Sequence, residues 1–182
     1  MKPQFEPVAH MDIVWIGGDR FCNHEPLSFT RPNGQMIVVP LLERGPVRLG
    51  FVHDGGSIPL IAVPIVGDRT SRAFLAFIVH DFLYVHKTVS RALADRILLE
   101  GMEALGVNRI RRRLIWGAVR AAGWAVWRAA PPLNTATISA LKPGPHWRVL
   151  RSDEPRHRRI REVKPSVIDR ALAALTLRGV ET

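Results

Sequence analysis

Apolar and polar positions divide this chain into a strand-rich first third, a helical middle and a tail of different composition. Asp12-Ile-Val-Trp-Ile16 reads as a strand closed by a Gly17-Gly18-Asp19 turn, inside an otherwise irregular stretch 1–34. Gln35-Met-Ile-Val-Val39 and Val47-Arg-Leu-Gly-Phe-Val52 are β-rich and flank turn residues, which predicts a hairpin over 35–53. Ala73-Phe-Leu-Ala-Phe-Ile-Val-His-Asp-Phe-Leu-Tyr-Val85 is apolar on all sides, as expected of a buried helix within 70–86. Asp68, Thr70 or Ser71 can cap it. Ser90 caps a second helix over 90–105, and Gly106 stops it. A third helix spans 109–128.

The linker between the first two helices is short, so they pack antiparallel. Counting outward from its centre sets Asp95 level with His80 and Asp81, and Arg91 level with Tyr84. Polar residues from two apolar helices therefore meet at one place. A carboxylate buried there must be hydrogen-bonded, neutralised or bound to a metal. Upstream, Asp54-Gly55-Gly56-Ser57 leaves the second strand as a glycine loop whose backbone can approach a ligand or simply turn the chain.

On the third helix, Leu114, Ile115, Ala118, Val119, Ala122, Ala125 and Val126 share one broad face at about 100° per residue. Arg113, Trp116, Arg120, Trp124, Trp127 and Arg128 share the other. Tryptophan with arginine suits a lipid headgroup layer, a protein interface or nucleic-acid bases. The same tryptophans can equally pack under the hairpin while the arginines reach outward. After Pro131 a linker-like, proline-rich segment precedes a basic run and a short helix, Val167 to Leu177, capped by Ser166.

A chain of 182 residues can form one domain, here a core over 1–130 with an extension over 131–182. The expected fold class is α+β: a small antiparallel β-hairpin or sheet on three helices, with a basic C-terminal extension. Lys and Arg number 26 against 16 Asp and Glu, a net charge of +10. That excess favours an anionic partner: a phage protein, a membrane or nucleic acid. One cysteine, Cys22, excludes an intrachain disulfide framework and a multi-cysteine zinc site. His10, Cys22 and His24 are irregularly spaced for a metal site. Residues 1–11 lack an apolar signal-peptide core, and Leu114 to Trp127 is short for a membrane span and interrupted by Arg120. P-loop, dinucleotide and GxSxG motifs are absent, so no nucleotide cofactor is expected.

In order, Phe51-Val-His-Asp-Gly-Gly-Ser-Ile-Pro59, Val79-His-Asp-Phe-Leu-Tyr84, Ser90-Arg-Ala-Leu-Ala-Asp95 and Glu100-Gly-Met102 resemble a phage and prophage family, the domain of unknown function 1353 family. The likeness covers roughly residues 35–125. His53 stands where the family has threonine and Gly56 where it has alanine. The resemblance implies a phage-related protein in the bacterial cytoplasm or the virion, and no particular activity.

His80-Asp81-x-x-Tyr84 is also similar to the His-Asp-x-x-Tyr helix of calcium-dependent secreted phospholipases. That likeness implies His80 as base, Asp95 orienting it and Tyr84 bonded to Asp95. Asp81 would hold calcium, in preference to zinc, with Asp54 and the backbone near Gly55 and Gly56, supported by Ser57 and Arg91. Those phospholipases are secreted and disulfide-stapled, unlike this chain. Two functions follow: a metal-assisted hydrolase of lipid ester or cell-envelope bonds, or a non-enzymatic virion or assembly protein binding through the Trp/Arg helix and basic tail. On the second, the polar cluster is a buried network that fixes helix register.

Overall fold

The computed structural model describes residues 1–6, 11–17, 20–44, 46–54, 73–129, 146–151 and 157–158. Among these residues the strands are β1 (Gln4–Glu6), β2 (Asp12–Trp15), β3 (Phe21–Asn23), β4 (Leu27–Thr30), β5 (Met36–Val39), β6 (Leu42–Arg44) and β7 (Val47–His53). Three helices follow, α1 (Phe74–His86), α2 (Arg91–Ala104) and α3 (Arg109–Ala129), and then β8 (Trp147–Val149) and β9 (His157–Arg158). Antiparallel sheets with segregated helices make this the expected α+β fold.

One sheet has the order β1-β4-β5 and the other β6-β7-β3-β2-β9, with β8 also on β7. The predicted pairing of 35–39 with 47–52 does not occur. β5 pairs with β4, Leu27 opposite Val39 and Thr30 opposite Met36, while β7 forms its hairpin with β6, Arg44 opposite Val47. The reason is turn length. With Arg44 directly opposite Val47, Leu42–Arg44 is strand rather than loop. β4 and β5 are joined through Pro32-Asn33-Gly34, where the Arg31 N–H bonds to the Gln35 carbonyl at 2.8 Å and Gly34 takes φ +85°.

Side chains alternate as the pleat requires. Leu27, Phe29, Ile37 and Val39 are buried, while Met36 and Val38 face water. Phe5 of β1 stacks on Phe29 at 4.6 Å. Gly50 of β7 lies against the Asn23 backbone carbonyl, a space that a β-carbon would have to share, so the strand crossing there requires glycine. Trp147 and Val149 belong to the stretch assigned to the extension, yet β8 pairs with β7 and Trp147 is buried against Phe51 at 5.6 Å.

α1 occupies the centre and contacts β5 of one sheet and β7 of the other. Phe74 through His80, with Phe82, Leu83 and Tyr84, are all buried, which accounts for the all-round apolar sequence. Each such large apolar side chain contributes about 1.5–3 kcal/mol on burial. Phe74 meets Phe21 edge-on at 5.7 Å and Phe82 meets Phe51 at 5.5 Å. The helix begins after Ala73, which makes no side-chain cap; Asp68, Thr70 and Ser71 lie outside the described residues. It ends at Lys87, whose N–H bonds to the Leu83 carbonyl with φ 51°.

Ser90 caps α2 by accepting from the Leu93 N–H, and α2 packs antiparallel on α1. Arg31 fastens α2 to the first sheet through Glu100, at 2.8 and 3.0 Å. Gly106, at φ +69°, ends that turn, and Asn108 caps α3 by accepting from the Ile110 N–H at 2.9 Å. The predicted Val167–Leu177 helix lies outside the described residues.

Candidate functional site

The site is built around a carboxylate. Asp95 of α2 is wholly buried. Its Oδ1 accepts from His80 Nε2 at 3.0 Å and from the Tyr84 hydroxyl at 2.6 Å. Its Oδ2 accepts from Arg120 Nη1 at 2.8 Å, with Arg91 Nη1 at 3.7 Å. Arg91 also donates to the Arg120 carbonyl at 3.1 Å, which ties α2 to α3. His80 and Tyr84 are one turn apart on α1 and therefore reach the same oxygen. Burial would raise the Asp95 pKa, but the His80, Tyr84 and Arg120 donors hold it down at about 2. The carboxylate is ionised under all ordinary conditions.

An ionised Asp95 fixes the histidine. It requires the proton on Nε2, so Nδ1 carries the lone pair. Nδ1 lies 3.9 Å from Asp81 Oδ1, too far for a hydrogen bond. Burial lowers the His80 pKa, yet the contacts with Asp81 and Asp95 outweigh it and hold the ring above its ordinary value. Burial first, then the charge of Asp95, raises the Tyr84 phenol and keeps it a donor.

Asp81 is the reverse of Asp95. Burial pushes its carboxyl up to about 7, reinforced by Asp54 and opposed by His80. Its Oδ2 is buried with no hydrogen-bond partner. Asp54, next after β7, and Asp81, in the middle of α1, thus line one cleft as neighbouring carboxyls. Such a pair fits a divalent cation by charge and by oxygen donors. Among the described residues no three of His, Cys, Asp and Glu converge as a metal group, and Gly55, Gly56 and Ser57, expected to complete the shell, lie outside them. His10 is outside as well, while Cys22 and His24 are buried around β3.

His80, Asp81, Asp54 and Tyr84 open on a cleft of about 560 Å³, within the range of small-molecule sites. Phe51, Phe77 and Val85 form part of its wall, and Ala118, Val119, Ala122 and Val126 of α3 form another part. Arg20 and His146 also line it. The register pairing Phe21 with His53 sets Arg20 opposite Asp54.

The expected Trp/Arg face is divided by the fold. Arg120 turns inward to Asp95, Trp127 packs edge-on against Tyr84 at 5.0 Å, and Trp116 packs partly buried against the core. Arg113, Trp124 and Arg128 remain outside, Arg128 lying over the Trp124 ring at 5.4 Å. Leu114, Ala122, Ala125 and Val126, grouped by sequence on a packing face, are exposed. Arg120, expected on the interaction face, belongs instead to the polar cluster. The signal was its position as the lone charge in Leu114 to Trp127, because a charge in an apolar helix needs a partner. Arg20 and His146 are distant in sequence and carry no motif, so only strand pairing could find them. No helix among the described residues is long and apolar enough to cross a membrane.

Comparisons with curated proteins and with solved structures return no match. One family model, "Protein of unknown function (DUF1353)", matches residues 24–119. That segment runs from just after β3 through about half of α3 and holds every member of the cluster except Arg120. It covers more than half of the chain, and the protein therefore belongs to the DUF1353 family.

Proposed function

We propose that this chain is a hydrolase, of phage or prophage origin, that cleaves a lipid ester or another cell-envelope bond at the His80 cleft. The observation that carries the reading is the division of labour on one imidazole. Nε2 is held by a buried, permanently ionised Asp95, which leaves Nδ1 as a base at the wall of an apolar cleft. A network that served only helix registration would need Asp95 and its donors. It would not need a second carboxyl pair and a cleft beside the free nitrogen.

The chemistry follows from the atoms. Nδ1 takes a proton from water, the oxygen attacks the substrate carbonyl, and the carbonyl electrons move onto its oxygen. When the tetrahedral species collapses, the imidazolium returns the proton to the departing alkoxide or amine. Asp95 balances the imidazolium formed in between, and Tyr84 and Arg120 keep Asp95 in place. Asp54 and Asp81 are the residues that would hold a divalent cation, calcium before zinc, which would stabilise negative charge on the carbonyl oxygen.

The test is turnover by His80→Ala. Wild-type protein should cleave short- or long-chain esters, or envelope-derived amides, and His80→Ala should lose that activity while its circular dichroism and melting stay close to wild type. If the variant unfolds and the wild type cleaves nothing across these classes, the cluster is a structural network. The non-enzymatic alternative, a virion or assembly protein, would then stand.

A further inference from the structure

The outer side of α3 is apolar and uncovered. At about 100° per residue, Ile110, Leu114, Ala121, Trp124 and Ala125 form one stripe along about 22 Å of helix. Ile110, Leu114 and Trp124 are 52%, 45% and 53% exposed, which is far from the ordinary state of large apolar side chains. Arg113 and Arg128 lie within the stripe. The helix holds six arginines and no carboxylate in its 21 residues. The next flank round the same helix, Ala122 and Val126, lines the His80 cleft and is itself exposed. Stripe and cleft mouth therefore adjoin.

We infer that α3 seats the protein on an anionic lipid bilayer, with its stripe in the headgroup layer and the cleft opening onto that surface. Apolar side chains bordered by arginines without acids are what such a helix requires, since burial and attraction to anionic lipid act together. Trp124 and Arg128 suit the interface, where an aromatic body sits beside a charged tip. Nucleic acid fits less well. Ile110 and Leu114 offer neither a phosphate contact nor a stacking plane. A second copy of this chain fits less well too, because arginines on both partners would face one another. Where the hydrolytic reading of His80 holds, the substrate is then an ester of a lipid drawn from the bilayer; the seat itself does not depend on that reading.

The test uses the full chain and vesicles of phosphatidylglycerol with phosphatidylcholine, against pure phosphatidylcholine, in flotation at low and high salt. Wild type and His80→Ala should both float with the anionic vesicles, less at high salt. Leu114→Ser/Trp124→Ser should cut binding by about tenfold or more, and Arg113→Gln/Arg128→Gln should weaken it and flatten its salt dependence. These side chains are exposed, so the variants should keep the wild-type circular dichroism. No flotation at low salt, or flotation unchanged by the stripe variant, overturns the seat. So does preferential binding to double-stranded DNA, or a dimer in solution that the stripe variant dissolves. Flotation without cleavage of any ester leaves the seat standing and removes the hydrolase. Cleavage of lipid ester without flotation does the opposite.

Discussion

The Tyr84 hydroxyl sits 2.7 Å from the point where a β-carbon on Gly123 would lie, so α3 reaches α1 here only by lacking a side chain. That hydroxyl is the one that donates to Asp95. Gly123→Ala should push the ring off the carboxylate and cost about 1–3 kcal/mol of stability. Chemical denaturation checks the cost. If activity is present it should fall too, because His80 then shares a loosened Asp95. Tyr84→Phe removes the donor without the clash, so the glycine variant should be the less stable of the two.

The pH profile follows from the two sides of the imidazole. The base is the neutral ring, and Asp81 and Asp95 together hold its pKa above the ordinary value, with Arg120 and Arg91 behind Asp95. Activity should therefore climb with pH through an inflection above about 6.5. Asp95→Asn removes one counter-charge, so the inflection should move to lower pH while the maximal rate drops. It also leaves the part-exposed Arg120 without its carboxylate, at a cost of about 1–3 kcal/mol. Ring-proton NMR titration of His80 reads the shift whether or not a substrate is known; an unchanged titration in Asp95→Asn would count against the assignment.

How much of this was legible before the structure depended on whether a feature was local. α1 could be read because ten of its thirteen residues are buried and nearly all of those are apolar, and Asp95 because a four-residue connection leaves one antiparallel register. Ser90 and Gly106 punctuated α2 as their chemistry requires. The sheets were largely illegible. β1 buries a single residue, Phe5, and β4 only Leu27 and Phe29, too few to make a pattern without their cross-strand partners. The α3 wheel was ambiguous for a different reason. With apolar residues on almost every side, only its neighbours decide that Trp127 turns to Tyr84 and Trp124 to water.

Acid should destabilise the fold through two neutral histidines. Burial lowers His53 to about 3 and His86 to about 4, in the second case with help from His146. Their stabilising contribution is full above the unfolded value of about 6.5 and is lost as pH falls toward those lower values. Asp95, at about 2, keeps its contribution until lower pH still, so between pH 6.5 and 4 the histidines dominate among these three. His86 lies among Phe82, Phe51 and Trp147, and its Nε2 is buried without a partner. His86→Phe should therefore recover about 1–3 kcal/mol at pH 4.5 and much less at pH 8. Equal effects at both pH values in urea denaturation would contradict this.

The Asp54 and Asp81 pair makes the cation separately testable from the chemistry. Burial and the neighbouring Asp54 raise the Asp81 carboxyl to about 7, and its Oδ2 is buried with no hydrogen-bond partner. Removing one charge should then cost little, so Asp81→Asn without added metal should melt at or above the wild-type temperature. A cation that binds only the folded pair stabilises it by mass action, about 2.7 kcal/mol at a hundred times its dissociation constant. Calcium should therefore raise the melting temperature of the wild type, of His80→Ala and of Tyr84→Phe, and leave Asp81→Asn unmoved. Magnesium should act more weakly, because it demands near-ideal octahedral geometry and gives up its waters reluctantly, whereas calcium accepts oxygen donors in varied number and arrangement. A wild-type melting curve that calcium does not shift would remove the metal from the proposal and leave the His80–Asp95 base to be judged by turnover alone.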